Sequence, residues 1–332
     1  MTLRRRLAIS VAIILALGAV ALAACGPAPV ALPASAPPFT PGASIEQHPT
    51  SGPAASTAQH PATPPHAVTI AVIGDFGVAN RAEGSVASLV AAWSPDAVIA
   101  VGDDYYAEAG GTGLARYDRT IGAYYCPFLH GAYAGEACSS GGTATENRFW
   151  STPGNHDYSD AGIDQYVGYL PLPGGKTWFS VRVGSAEFFI LDAERALSDA
   201  AAMAAQRAWL ATATTASTAR WRIAVFHQPA YSSGDVHGST RAMRWPFAAM
   251  GIGLVLNGHE HTYERFVIDG VTYVVDGLGG AGRYGFGKPL EGSMARYAAD
   301  WGALRLDITT DTLHGEFMSE DGIARDAFTL GP

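Results

Sequence analysis

The sequence predicts an α/β protein in which short strands alternate with helices and turns within one large folded region. Three observations lead there. Short β-branched runs recur along the chain, an amphipathic helical run follows the first of them, and five runs end in polar residues set among glycines. Val68–Ile73 is the first strand-like run. Between Ala82 and Trp93, the residues Val86, Leu89, Val90 and Trp93 recur at helical spacing, with Asn80 placed to cap the helix. Ala97–Val101 is the next apolar run, and Trp178–Val183 with Glu187–Leu191 reads as a hairpin around Gly184. Trp221–Phe226, Ile252–Leu256 and Val271–Val275 are further short strands, and Leu304–Leu330 alternates as antiparallel strands do. No internal repeat is visible. The 266 residues from Ala67 to Pro332 are enough for one large core.

Composition narrows the function. The chain has 332 residues, 48% of them hydrophobic, which excludes wholesale disorder. Its net charge is −9, and Lys176 and Lys288 are the two lysines among 21 basic residues. No basic face is available to meet phosphates along a nucleic acid, so no nucleic-acid partner is expected. Three cysteines are too few for a disulfide-built miniprotein.

The amino terminus reads as an export signal. Arg4, Arg5 and Arg6 precede a 16-residue apolar run, Leu7–Leu22, short of the roughly 20 residues a membrane span requires. The run ends in Leu22-Ala23-Ala24-Cys25, which resembles the bacterial lipobox. Residues 1–24 are then a lipoprotein signal peptide, and the membrane is a partner through a lipid on Cys25. The protein would be exported and held on the outside of the bacterial cell membrane or at the outer membrane; a plain signal peptide is the alternative. Either Sec or Tat export is compatible, because Leu3 stands where a twin-arginine signal has Ser or Thr. Residues 25–66 comprise Cys25 and a tether that carries 11 of the 20 prolines and one acidic residue, Glu46. His48, His60 and His66 in it are irregularly spaced and read as linker. Residues 67–332 form the folded domain. Export favours a disulfide between Cys126 and Cys138, whose short loop would contribute about 3 kcal/mol; two buried free thiols are the alternative.

The strand ends carry the chemistry. Ile70–Ile73 runs into Asp75, Val98–Val101 into Asp103 and Tyr106, Phe149–Thr152 into Asn155 and His156, Ile223–Phe226 into His227, and Leu254–Leu256 into His259 and His261. Ligands of open α/β sheets bind beyond the carboxyl ends of strands. Mixed oxygen and nitrogen donors suit Fe, Zn or Mn rather than a thiolate cluster. Asp75, Asp103, Tyr106, Asn155, His227, His259 and His261 supply donors for two metal ions with a bridging carboxylate.

These motifs, Asp75-Phe-Gly, Gly102-Asp103-x-x-Tyr106, Gly154-Asn155-His156-Asp157, His227 and Gly258-His259-x-His261, resemble the signature of calcineurin-like metallophosphoesterases. Asp-x-Gly in the first motif, where the generic family has Asp-x-His, and the tyrosine of the second narrow the resemblance to purple acid phosphatases. The run from Gly258 to Arg265 is similar to the plant-type members. The resemblance spans about Val68 to Gly280 and implies a two-sheet sandwich flanked by helices, a four-layer α/β/β/α fold. It implies a ferric ion held by Asp75, Tyr106 and His261, a divalent ion (Fe, Zn or Mn) held by Asn155, His227 and His259, and Asp103 bridging them. It also implies two catalytic histidines beside the substrate, His156 and His237. On the same resemblance, the Pro-rich tether is expected to stand where plant-type members carry an N-terminal β-domain.

The implied reaction is hydrolysis of a small phosphoester, most simply a phosphomonoester, by in-line attack of metal-bound hydroxide. A phosphodiesterase or nucleotide pyrophosphatase on the same site is the alternative, as is an inactive surface binding lipoprotein. Other residues read as structural. Asp104 and Tyr105 flank the motif, Asp157 is expected to make a supporting hydrogen bond, with His156 as one candidate partner, Asp192 ends a strand, and Glu264 with Arg265 reads as an ion pair. Gly282–Pro289 nearly spells a phosphate-binding loop but places Pro289 where a hydroxyl is required; it reads as a Gly-rich loop near the site rim, with substrate contact by Arg283 or Tyr284 as the lesser alternative.

Overall fold

The computed structural model describes the backbone of residues 45–47 and the chain from 67 to 331. The signal segment, Cys25 and the rest of the Pro-rich stretch lie outside the described residues. Among the described residues, strands fall into two mixed sheets. The first contains β2 (Val68–Ile73), β3 (Ala97–Ala100), β4 (Phe149–Ser151), β12 (Gly302–Ile308), β13 (Leu313–Ser319) and β14 (Ala324–Leu330), in the order β14-β13-β12-β2-β3-β4. The second contains β1 (Ile45–Gln47), β5 (Phe179–Val183), β6 (Ala186–Ile190), β7 (Trp221–Val225), β8 (Leu254–Asn257), β9 (Tyr263–Ile268), β10 (Val271–Asp276) and β11 (Ser293–Tyr297), in the order β1-β5-β6-β7-β8-β10-β9-β11.

β2, β3 and β4 run parallel, as do β6, β7, β8 and β10. The parallel strands read as continuous apolar runs because both of their faces are covered. Ile70, Val72 and Ile99 of one sheet share a core with Phe188, Ile190, Val225 and Leu256 of the other. Successive residues alternate faces, so Phe189, Ala224 and Val255 point the other way, onto Leu210, Trp245 and Phe247. Helix α1 (Arg81–Trp93) covers the first sheet through Val86 and Val90, and Asn80 accepts a hydrogen bond from the Glu83 N–H at its start. Two shorter helices, α2 (Ile163–Tyr169) and α3 (Ala193–Ser198), precede α4 (Ala200–Ala216), which lies outside the second sheet. The architecture is the expected sandwich of two sheets flanked by helices.

Two local findings bear on the sequence reading. Cys126 and Cys138 are disulfide-bonded. Within the stretch expected to be tether, β1 pairs antiparallel with the edge of β5, with Ile45 opposite Val183 and Gln47 opposite Val181. The seven residues between Pro41 and Pro49 are free of proline, and an open sheet edge offers such a segment unpaired N–H and C=O groups.

Candidate metal centre

β2, β3 and β4 of one sheet and β7 and β8 of the other end beside one another. Asp75 follows β2, Asp103 and Tyr106 follow β3, Asn155 and His156 follow β4, His227 follows β7, and His259 and His261 follow β8. At three of these ends the chain takes a left-handed turn, with φ of 55° at Asp75, 54° at Asp103 and 71° at His259. For a non-glycine residue such a conformation costs about 1–3 kcal/mol. Two glycines let the loops close in. A Cβ at Gly154 would lie 2.2 Å from Asp103 Oδ1, and one at Gly258 would lie 2.5 Å from Asp75 Oδ2.

The structure brings all seven sequence-identified donors into one cluster. The Tyr106 hydroxyl lies 3.2 Å from Asp75 Oδ1, 3.1 Å from Asp103 Oδ2 and 3.0 Å from His261 Nε2. His227 Nε2 lies 3.2 Å from Asp103 Oδ2 and 3.2 Å from Asn155 Oδ1. His261 Nε2 lies 3.4 Å from Asp75 Oδ1. Ligand-type atoms of Asp75, Asp103 and His261 fall within 4.8 Å of one another, as do those of Asp103, His227 and His259. Asp103 belongs to both groups. Backbone carbonyls fix two of the rings: His227 Nδ1 lies 2.9 Å from Val101 O and His261 Nδ1 lies 2.5 Å from Gly282 O. Each Nε2 is thereby left facing the cluster.

The charges are arranged for a cation. Among the described residues, the recorded ion pairs of Asp75 and Asp103 are with histidines, and no Lys or Arg neutralises them. Burial would raise both aspartate pKa values, but His227 and the other imidazoles outweigh it and hold both carboxyls below their ordinary range. Burial would lower His227, yet Asp103 and Asp75 raise it to about 10. Burial, with His227 and His237 nearby, pushes His259 down to about 2. Burial and the two carboxylates drive the Tyr106 phenol well above its usual value. Two buried carboxylates, a phenol and three imidazoles without a fixed cation form a donor set that fits metal ions.

The two expected substrate-side histidines stand around this cluster. His156 has its ring centroid 4.3 Å from that of Tyr106, and its backbone N–H donates to Asp103 Oδ1 at 2.8 Å. His237 stacks on His259, centroids 4.1 Å apart. Tyr284 of the Gly-rich rim lies flat on His261 at 4.1 Å, whereas Arg283 lies over Trp301, 3.9 Å from Asp300. A cavity of about 360 Å³ lies at the opposite ends of β7 and β8, lined by Thr214, Arg222 and Met250 among others, and shares no residue with the cluster.

Two structural expectations are corrected. His156 is held by Asp160, whose Oδ2 lies 2.8 Å from Nδ1, and not by Asp157. Asp157 instead accepts from the Gly154 and Asp104 N–H groups and from the Tyr117 hydroxyl, because it points into the buried side of the loop. Glu264 and Arg265 do not pair with each other: successive strand residues face opposite ways, so Glu264 accepts from Ser233 N and Ser293 Oγ while Arg265 binds Asp326 at 2.6 Å. Asp192 caps α3 through the Arg195 N–H. Asp160 and Glu260 are the residues near the site that sequence reasoning missed. The four-residue spacing from His156 to Asp160 on a helical turn is the signal that was available for the first.

The fold and the donor cluster together are those of the metallophosphoesterase class. The chain belongs to the calcineurin-like phosphoesterase family, whose model matches residues 68–263. It is 27% identical over 246 residues to purple acid phosphatase 15 of Arabidopsis thaliana; that match covers 64% of this chain and 44% of the plant protein. Among solved structures, the purple acid phosphatase PPD1 of yellow lupin (Lupinus luteus) has a TM-score of 0.62 at 17% identity, covering 81% of this chain and 55% of that one. GAP50, the anchor in the inner membrane complex of Plasmodium, has a TM-score of 0.63 at 15% identity, covering 80% and 89%. The sandwich thus recurs in a protein named as an anchor as well as in a phosphatase.

Proposed function

We propose that the chain is a phosphomonoesterase of the purple acid phosphatase type, exported and tethered through Cys25. The observation that carries this reading is Tyr106, whose hydroxyl lies within 3.2 Å of Asp75, Asp103 and His261. A phenol among these donors suits ferric iron. On this reading Asp75, Tyr106 and His261 hold the ferric ion, Asn155, His227 and His259 hold a divalent Fe, Zn or Mn ion, and Asp103 is shared. Bound there, the ions would polarise the phosphoryl group and lower the pKa of the attacking water.

The chain's own groups do the rest. Asp160 fixes the Nδ1 side of His156, whose ring packs against Tyr106. His156 stands on the Tyr106 side and His237 on the His259 side. Both donate to phosphoryl oxygens, and either is able to give a proton to the leaving alkoxide. His259, held neutral, keeps its lone pair for a cation. The test is hydrolysis of p-nitrophenyl phosphate beside a panel of diesters and nucleotides, with metal analysis and a visible spectrum of the same preparation. Preference for diesters would replace the monoesterase assignment, and an active, fully metallated but colourless enzyme would remove the ferric-tyrosinate one.

A further inference from the structure

Glu260 sits between His259 and His261, is fully buried, and has no part in the proposed chemistry. Its carboxylate accepts three successive backbone N–H groups from another loop: Val236 at Oε1 (3.0 Å), and His237 and Gly238 at Oε2 (2.8 Å each). Gly238 has φ of 67°, which lets consecutive N–H groups turn toward one point. Such a nest of N–H groups is an anion site, and here the anion is a side chain of the chain itself. The middle donor belongs to His237, whose exposed ring stacks on His259. The fit is close on the other side too, since a Cβ at Gly234 would lie 2.1 Å from the Glu260 carboxyl carbon.

We propose that Glu260 is a positioning residue that holds His237 over the centre. This rests on the reading of His237 as a substrate-side group. The loop that carries His237 is exposed at Asp235, Val236 and His237, and its own side chains do not fix the ring. The clamp joins it instead to the turn that carries His259, so that ring and donor set move together. A misplacement of about 1 Å costs on the order of 10²-fold in rate, which sets the scale of what the clamp protects.

The test is a double-mutant cycle on the metallated enzyme. Glu260→Gln keeps the shape but turns an amide NH2 toward N–H donors. It is expected to lower kcat by about tenfold to a hundredfold with both metals retained. In a His237→Ala background the same change is expected to do nothing further. Gly234→Ala, whose methyl would displace the Glu260 carboxyl, is expected to reproduce the Glu260→Gln loss. Multiplying effects of Glu260→Gln and His237→Ala would make Glu260 merely structural, and loss of metal from Glu260→Gln would place its action on His259 and His261; either overturns the proposal. If the wild type hydrolyses no phosphoester, the proposed function fails and crystal structures decide the clamp. Rings of His237 and His259 stacked in the wild type and apart in Glu260→Gln would support it; any other arrangement would end it.

Discussion

In the half of the centre formed by Asp75, Tyr106 and His261, every side chain is buried, with exposures of 0%, 4% and 5%. In the half formed by Asn155, His227 and His259, the first and last are half-buried, and His227 is sealed beneath them. The buried half is roofed by Tyr284, stacked on His261; the open half is edged by His237, on a loop reaching into solvent. The comparison teaches that two donor sets of similar size serve different ends. One set is closed to solvent, and the other keeps an open side, where on the proposed function substrate would approach.

Removing what the halves share should have the largest effect. Asp103→Asn is expected to empty both sites and reduce activity by about 10³-fold or more, the scale of several kcal/mol of Lewis-acid stabilisation. Metal analysis checks it, and a full complement of two ions in the variant would refute the bridging role. Next, His156→Ala should lower kcat by about 10²–10³-fold with both ions kept, the size of one lost charge-stabilising donor. His259→Ala should instead release the ion of the open half. The reverse pattern of metal loss would exchange their roles.

Tyr106→Phe acts on the buried half alone. The visible charge-transfer band should vanish and iron binding weaken, while the fold and the ion of the open half persist. A band that survives the substitution would put the chromophore elsewhere.

Proton release sharpens the comparison further. In the metal-free protein the His227 pKa is raised from 6.5 to about 10. The stability contributed by its charged form is therefore fully present below about pH 6.5 and lost as pH rises through about 10. At pH 7 a metal must displace the His227 proton in the open half and the Tyr106 proton in the buried half. Loading should then release about two protons or more, and metal affinity should fall with falling pH. Indicator titration during loading measures this; no release would contradict the charge states of both groups.

The smallest effect should come from the amino-terminal region. A chain beginning at Ala67 is expected to keep full activity, because every candidate donor lies at or after Asp75. In the full chain, Cys25→Ser should release the protein from the membrane or block its processing. Wild-type protein found wholly in the medium or cytoplasm, with Cys25 unmodified, would end the lipoprotein reading.

The strands and the donor residues were legible because their signals are local. A β-rich run followed by Gly-Asp or Gly-His declares both element and chemistry within a few residues, and β2 begins and ends where the pattern places it. Helix α4 escaped notice because its buried positions are Ala202, Gln206, Leu210 and Thr214. Two of the four are polar, so the apolar stripe is faint. Gln206 is buried because it exchanges two hydrogen bonds with the backbone of Asp192.

By itself the sequence determined the kinds of donor and the strand ends that deliver them, since residue type and short-range backbone preference are properties of the local chain. The tertiary structure alone decided the partners. Arg265 finds Asp326 across 61 residues, and Glu260 finds three N–H groups 22 to 24 residues earlier. A buried charge or N–H group must be satisfied by whatever the fold brings within 3 Å or so. Which group that is depends on how the loops close over the strand ends, and no local preference encodes it.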